Sequence, residues 1–326
     1  MHYSHLTRDQ RCHISAHKST GMSGRSIALK LNIAQSTVNR ELKRNHSKFG
    51  VYKHNQAHDK AIKRKEEAAR AHPKVLIGEL RAHVVERLRL FDSPVQISGA
   101  LKRRGTNVSH ETIYKLIIQD REDGGDLYKC SRHGGKKWRK NRCKEAAKGA
   151  IRDRIDISER PAIVEEKSRV GDLEIDLIVG SGASGYIVTI VDRHSKAVFM
   201  AKTESKEAAV VTEALVRTIR RMRTIFKPLT ITSDNGSEFA FHKDISRRLE
   251  VPFFFATPYH SWERGLNEHT NGLIRQFFPK RSLFTDISDD DIFKVQFNLN
   301  NRPRRALNFQ TPLEVLLSSV AVALHG

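Results

Sequence analysis

Three carboxylates in this 326-residue chain sit within or just beyond short apolar runs. Asp176 lies inside Leu173-Glu-Ile-Asp-Leu-Ile-Val179, a run closed by Gly180, Ser181 and Gly182, which reads as a buried strand with an acid at its middle. A charge is costly there unless something pairs with it. Asp234 follows a second run, Leu229-Thr-Ile-Thr-Ser233, and precedes the turn signal Asn235-Gly236, which places a carboxylate at a strand's end. Glu268 falls in a helix-like stretch, 263–278, whose Leu266, Leu273, Ile274, Phe277 and Phe278 recur at helical spacing. Arg275 lies seven residues further on, two turns away on the same face. Hard divalent cations such as Mg²⁺ take oxygen ligands and keep part of their shell for water and phosphate. Two of them about 4 Å apart activate the attacking oxygen and stabilise the leaving one in phosphoryl chemistry. Three acids from two strands and a helix suit that task.

Spacing alone does not choose among the acids. Any one of 37 Asp and Glu side chains is ordinarily a solvated surface charge or an ion-pair partner. The same segments offer Asp172, Glu174, Asp192, Glu238 and Glu263. Asp172 shares a strand face with Asp176 by alternation. Glu263 stands five residues before Glu268, about 140° round a helix, so only one of the two can face a shared site.

The elements that must position these acids follow from the pattern. Strand-like runs at 173–180, 186–193 and 197–203 are so closely spaced that they imply an antiparallel meander. A helix at 206–222, a strand at 229–233, a helix at 240–249 and a strand at 251–256 then alternate, which demands crossovers before the Glu268 helix. A last helix at 288–299 turns Ile292, Val295 and Leu299 inward and precedes a basic cluster, Arg302 to Arg305.

The charge is uneven. The first 150 residues hold 33 Lys and Arg against 14 Asp and Glu, whereas the remaining 176 hold 25 against 23. Such a basic half is an electrostatic footprint for nucleic acid. A membrane role is disfavoured, since no apolar stretch approaches the ~20 residues needed to span a bilayer. The start of the chain also lacks the apolar core of a signal peptide. Three cysteines without framework spacing fit a reducing compartment. Cys130, His133 and Cys143 resemble part of a zinc set but lack an evident fourth ligand, so free thiols in a linker are the preferred reading.

Within the basic half, Thr7 and Gln10 form a capping-box pattern before a first helix to about residue 18, and Gly21 ends it. A second helix spans about 23–31, with Ile27, Ala28 and Leu31 inward, and Asn32 makes a turn. A third, about 35–44, buries Val38 and Leu42 and turns Gln35, Ser36, Thr37, Asn39, Arg40, Lys43 and Arg44 outward, all groove-reading residue types. Arg40 is the leading base contact; Lys43 and Arg44 suit phosphates. Ala-, Lys- and Glu-rich sequence at 54–91 reads as long helix broken at Pro73. A second, weaker helix-turn-helix pattern at 93–119, equally readable as a structural helical pair, starts at Ser93-Pro94, carries Ile97 and Leu101, stops at Gly105 and resumes after Ser109 with Ile113, Leu116 and Ile117. Tyr114 and Lys115 are its outward candidates. The glycine-rich, basic stretch from 121 to 168, with Lys136 and Lys137 at its centre, reads as a linker that can touch DNA backbone. The expected organisation is a helix-turn-helix domain at 1–50, a helical region at 51–120, the basic linker at 121–168 and a catalytic domain at 169–326.

The stretches Gly171-Asp-Leu-Glu-Ile-Asp-Leu-Ile-Val-Gly180, Ser233-Asp-Asn-Gly-Ser-Glu-Phe239 and Trp262-Glu-Arg-Gly-Leu-Asn-Glu-His-Thr-Asn-Gly-Leu-Ile-Arg-Gln-Phe-Phe-Pro-Lys280 resemble the bacterial insertion-sequence-thirty family of transposases. So do Ile33-Ala-Gln-Ser-Thr-Val-Asn-Arg-Glu-Leu-Lys-Arg-Asn45 near the start, and Asn300-Asn-Arg-Pro-Arg-Arg305 with Thr311-Pro-Leu-Glu-Val315 near the end. Leu173 and Ile175 stand where the family often has Trp and Gly, and His269 where it usually has Asn. In that family two aspartates and a glutamate bind metal, with 33 residues between the last two, as between Asp234 and Glu268 here. The resemblance thus implies Asp176, Asp234 and Glu268 as catalytic metal ligands, with Arg275 as the basic residue that follows the glutamate. It also implies an α+β multidomain protein, with an all-α helix-turn-helix region before a ribonuclease-H-like core. Two Mg²⁺ ions per site are expected, with Mn²⁺ able to replace them. The implied reaction exposes a 3′ hydroxyl at the inverted-repeat ends of a mobile element; that hydroxyl then attacks a second phosphodiester. Double-stranded DNA is the expected partner, at least a dimer the working form, and the nucleoid in the cytoplasm the place. The competing expectation is a DNA-binding regulator that keeps the fold without catalysis.

Overall fold

The structure, a computed structural model, describes residues 5–47, 50–71, 76–132, 151–258 and 260–325, in two compact units, Met1–Val75 and Leu76–Gly326.

In the first unit, α1 (Arg8–Ser19) begins at the expected capping box: the Thr7 side chain accepts from the Gln10 N–H, and the Gln10 side chain accepts from the Thr7 N–H. Gly21, at φ +82°, makes a turn that side chains resist. Ser23 caps α2 (Gly24–Lys30), and Asn32 turns the chain in the left-handed region before α3 (Gln35–Asn45). Ile14, Ile27, Ala28 and Val38 form the core, with Leu31, Ile33 and Leu42 partly buried against it. A fourth helix, α4 (His54–Ala71), packs along α1 and α3. Beneath α3, Arg11 Nε donates to Glu41 Oε1 at 2.8 Å and the Tyr52 hydroxyl donates to the same oxygen at 2.9 Å. That buried trio fixes α3 from below and leaves its polar face outward.

The second unit opens with α5 (Gly78–Arg89), α6 (Pro94–Arg103) and α7 (His110–Glu122), capped at Ser93 and Ser109 as the sequence suggested. Val84, Leu88, Ile97, Leu101, Ile113 and Ile117 make their core. The expected linker from 121 is ordered at both described ends, because each end carries apolar side chains that bury. After α7, a 3₁₀ turn at Leu127–Cys130 inserts Leu127 into the helical core. On the far side, Ile151 packs on the sheet core, Asp156 bridges to Phe255, and α8 (Ile163–Glu166) buries Val164 completely. Pro73, His133, Lys136, Lys137 and Cys143 lie outside the described residues; Cys130 is a free thiol.

A five-stranded mixed sheet follows: β1 (Asp172–Val179), β2 (Tyr186–Asp192), β3 (Val198–Thr203), then α9 (Ala208–Met222), β4 (Thr230–Ser233), α10 (His242–Leu249) and β5 (Phe253–Phe255). The order is β3-β2-β1-β4-β5, with β1, β2 and β3 antiparallel and β1, β4 and β5 parallel. This is the expected meander with crossovers. Alternation along β1 sends Leu173 and Ile175 into a core with α9 and α10. The other face, through Ile178, meets α11 (Gly265–Phe277) and α12 (Asp289–Asn300). The chain ends in α13 (Pro312–His325), a helix that sequence reading did not foresee.

The α5–α7 group is tied to this C-terminal region. Arg87 Nη2 donates to the Asn301 carbonyl at 3.2 Å and Asn298 Nδ2 to the Leu90 carbonyl at 3.1 Å. The Phe309 ring rests on Gly99, where any side chain would overlap it. Among the described residues no helix is long and apolar enough to cross a membrane.

Candidate active site

The β1–β4 register pairs Asp172 with Thr230 and Glu174 with Thr232. Run two residues on, it puts Asp234, just past β4, beside Asp176. Their carboxylates meet one cation: Arg264 Nη2 lies 3.3 Å from Asp176 Oδ2, and Arg264 Nη1 lies 3.5 Å from Asp234 Oδ2. Arg264 is buried, and Nη2 also donates to the Ile175 carbonyl at 2.7 Å. Asn271 Nδ2 donates to Asp176 Oδ2 at 2.8 Å, and the Leu177 N–H to Oδ1 at 2.9 Å. Burial pushes the Asp176 carboxyl above its ordinary range, the Asp234 charge adds to this, and Arg264 opposes it. Asp234 Oδ1 accepts from the Gly236 N–H at 2.9 Å, which shapes the turn after β4.

Glu268 is exposed on the stripe of α11 that runs from Arg264 through Asn271 to Arg275. Its neighbours on that stripe bond to Asp176 and, through Arg275 Nη2, to the Val179 carbonyl at 2.7 Å. Glu268 itself makes no hydrogen bond or ion pair with the described residues. The structure therefore joins Asp176 to Asp234 but does not bring the Glu268 carboxylate into their cluster. Among the described residues, no group of three or more His, Cys, Asp or Glu side chains converges closely enough to hold a metal ion. Converging carboxylates repel one another, and here a guanidinium stands between two of them.

The competing acids have other work. Asp172, fully buried, accepts from Arg169 at 2.9 and 3.2 Å and from the Thr230 hydroxyl at 2.8 Å. Glu174 accepts from Arg193 Nη1 at 2.9 Å, and Arg193 continues to Glu165 at 3.0 Å. Arg160 bonds to the same Glu165 and donates to the Thr232 hydroxyl at 2.8 Å. Asp192 accepts from the Gly171 N–H and from both the N–H and hydroxyl of Ser195, which builds the β2–β3 turn. Glu263 accepts from the Thr257 N–H at 2.8 Å, and its other oxygen lies 3.2 Å from His260 Nδ1. Glu238 folds over Gly236.

Arg264 and Asn271 were not singled out by sequence reading. Their signal was there: both lie within two turns of Glu268, at the helical spacing that had drawn attention to Arg275. Arg275 is half-buried, its guanidinium 5.6 Å from the centre of the Phe284 ring, and burial lowers its proton affinity. On α3, Gln35, Ser36, Asn39, Arg40, Lys43 and Arg44 are exposed and Thr37 is half-buried, all on the face opposite the core.

Residues 170–261 match the integrase core domain and residues 2–45 a helix-turn-helix domain. The chain is 43% identical to the transposase for insertion sequence element IS4351 of Bacteroides fragilis, over 95% of this chain and 94% of that one. It is 34% identical to transposase InsI for insertion sequence element IS30A of Escherichia coli K12, over 98% of this chain and 85% of the other. To the transposase for insertion sequence element IS1086 of Cupriavidus metallidurans it is 32% identical over 98% and 96%. With identity of this order sustained from the helix-turn-helix region through the acid-bearing sheet to the C-terminal helices, the chain belongs to the IS30 family of insertion-sequence DNA transposases.

Proposed function

We propose that the chain cuts and joins DNA at the inverted-repeat ends of its own insertion sequence, on the nucleoid in the cytoplasm, with Asp176, Asp234 and Glu268 as the catalytic metal ligands. The observation that carries this reading is the pair Asp176–Asp234 sharing one cation, Asp176 at the middle of β1 and Asp234 just past the end of the parallel strand β4, with Glu268 one turn along the helix that supplies that cation. The donor set fits hard divalent ions: all-oxygen, anionic and already in need of positive charge. Two Mg²⁺ ions, or Mn²⁺ in their place, would supply the charge that activates the attacking oxygen and stabilises the leaving one. Asn271 and the Leu177 N–H hold the Asp176 carboxylate in one orientation, and the Gly236 N–H does the same for Asp234. Glu268, exposed and without a hydrogen bond or ion pair among the described residues, can turn toward them.

The DNA ends are read by α3: Arg40 with Gln35, Ser36, Thr37 and Asn39 on base edges, Lys43 and Arg44 on phosphates. Lys136 and Lys137 join the phosphate contacts on charge alone. Arg275 joins them through the part of its guanidinium that Val179 does not occupy. Holding two element ends at once requires at least a dimer.

The test incubates the purified chain and Mg²⁺ with labelled DNA carrying the inverted repeats that flank its gene, beside Glu268→Gln and Arg40→Ala. The expected result is cleavage and joining by the wild type, binding without cutting by Glu268→Gln, and loss of end-specific binding by Arg40→Ala. Equal cutting by Glu268→Gln removes Glu268 from the ligand set. Binding without cutting by the wild type, with Mn²⁺ also tried, would make the protein a regulator.

A further inference from the structure

A cleft of about 920 Å³ lies on the other flank of the helix that bears Glu268. Leu266, His269, Leu273 and Gln276 of α11 form one wall, while Glu268 sits on the Arg264–Asn271–Arg275 stripe. A helix is about 10 Å across, so cleft and glutamate are separated by one helix diameter. The rim between them is low: Gly265 meets nothing within 4 Å, and Gly272 is covered only by the end of the Arg132 side chain.

Among the described residues the lining contains no acidic side chain, but it includes Arg132, Lys196, Arg302, Arg304 and Arg305. Positive charge at its base is under-compensated. Among the described residues, Arg302 and Arg304, both more than nine-tenths buried, have a single nearby carboxylate, Asp92, which Arg87 already holds at 2.5 Å. Among the described residues, the buried Nε donors of Arg302 and Arg304 make no hydrogen bond, Arg302 Nε standing 3.7 Å from Asp92 Oδ1. Burial lowers both guanidinium groups to about 10, and neighbouring arginines add to it, Arg87 and Arg132 for Arg302 and Arg302 and Arg132 for Arg304. Buried donors of this kind favour an anion. The floor is apolar, with Phe91, Val95, Leu266 and Leu273, and the half-exposed Tyr114 ring stands at the edge.

We propose that this cleft binds an unpaired stretch of DNA strand running over the α11 rim from the reaction centre, its phosphates on Arg132, Arg304 and Arg305 and its bases against the apolar floor and Tyr114. The chemistry selects unpaired over duplex DNA because a floor of this kind has value only to exposed base faces, which a duplex keeps stacked inside. Basic rim and aromatic floor together are what sequence-tolerant single-strand sites use. The inference rests on the proposed function only in taking DNA as the substrate.

The test measures fluorescence anisotropy of a labelled oligothymidylate and of an inverted-repeat duplex with the full chain, in EDTA so that no cutting is needed. The double variant Arg132→Glu/Arg305→Glu, both positions exposed, should weaken oligothymidylate binding at least tenfold. It should also flatten the plot of log affinity against log salt by about 1.4. Tyr114→Ala should weaken it about tenfold with the salt slope unchanged. Both should leave duplex binding within about twofold, while Arg40→Ala does the reverse. Unchanged oligothymidylate affinity in the double variant overturns the proposal. So does an equal loss for duplex and single strand with no effect of Tyr114→Ala, which would reduce the cleft to general surface charge. Because the assay contains no metal, a failure of the catalytic reading leaves its result legible.

Discussion

One face of β1 carries three acids in alternation, and its two ends treat them differently. At the start of the strand, Asp172 and Glu174 are 0% and 1% exposed, and each has an arginine at 2.9 Å, Arg169 for Asp172 and, for Glu174, Arg193, which also reaches Glu165. At the far end of this series of acids, in the middle of the strand, the Asp176 side chain is 21% exposed and shares its arginine with Asp234 at longer distances, 3.3 and 3.5 Å. A buried carboxylate with its own close guanidinium is fixed, since breaking the pair strands a charge. A half-open carboxylate that divides one guanidinium with a second acid can exchange that partner for a cation from solvent. The same residue type on the same strand is scaffold at one end and reagent at the other, and what separates the two is the partner and its access to water.

The largest expected effect breaks the reagent end alone. Asp176→Asn keeps size and the Asn271 contact but removes the charge; strand cleavage should fall about 10³-fold or more, about 4 kcal/mol of barrier, with the melting temperature nearly unchanged. Cleavage within tenfold of wild type would remove Asp176 from the reaction. The next effect breaks the scaffold end. Arg193→Met leaves Glu174 buried and unpaired, at a cost of about 3–5 kcal/mol in urea unfolding of the second unit. The double variant with Glu174→Met should recover most of that loss, because the orphaned charge is gone. No recovery would mean that Arg193 acts through Glu165 instead. Between the ends, Arg264→Met should cost about 1–2 kcal/mol without metal, and millimolar Mg²⁺ should then raise the melting temperature more than it does in the wild type. If Mg²⁺ shifts both equally, Arg264 belongs with Arg193 as scaffold.

Much of this division was legible in the sequence, for particular reasons. The β1 run betrayed itself by alternation, and the closeness of β2 and β3 left only a meander. Thr7, Ser93 and Ser109 announced helix starts because a cap is a local event. What stayed hidden depends on contacts distant in sequence. Nothing near Asp172 shows that Arg169 and Thr230 would neutralise it, so it remained a rival to Asp176 until the β1–β4 register was known. Arg264 was not singled out, and only the approach of α11 to β1 makes it the shared cation. The stretch 121–168 read as linker because its composition is polar and glycine-rich on average, yet Leu127 and Val164 are buried near its ends. The helix α13 escaped because its apolar residues run almost continuously and show no clean stripe.

The smallest expected effect sharpens the comparison within the scaffold end itself. Arg169 and Arg193 both hold fully buried acids, but the Arg169 side chain is 35% exposed and that of Arg193 only 2%. Asp172 also keeps the Thr230 hydroxyl at 2.8 Å when its arginine is removed. Arg169→Ala opens a path for water to the carboxylate that Arg193→Met does not, so solvent replaces much of the lost interaction. The loss in urea unfolding should be about 1 kcal/mol or less, in the range of solvent-screened pairs. It should also shrink with added salt, since the arginine sits where ions can reach it, while the Arg193→Met loss should hardly respond. If Arg169→Ala instead costs as much as Arg193→Met, burial of the acid sets the stability of this face, and the partner's access to water does not.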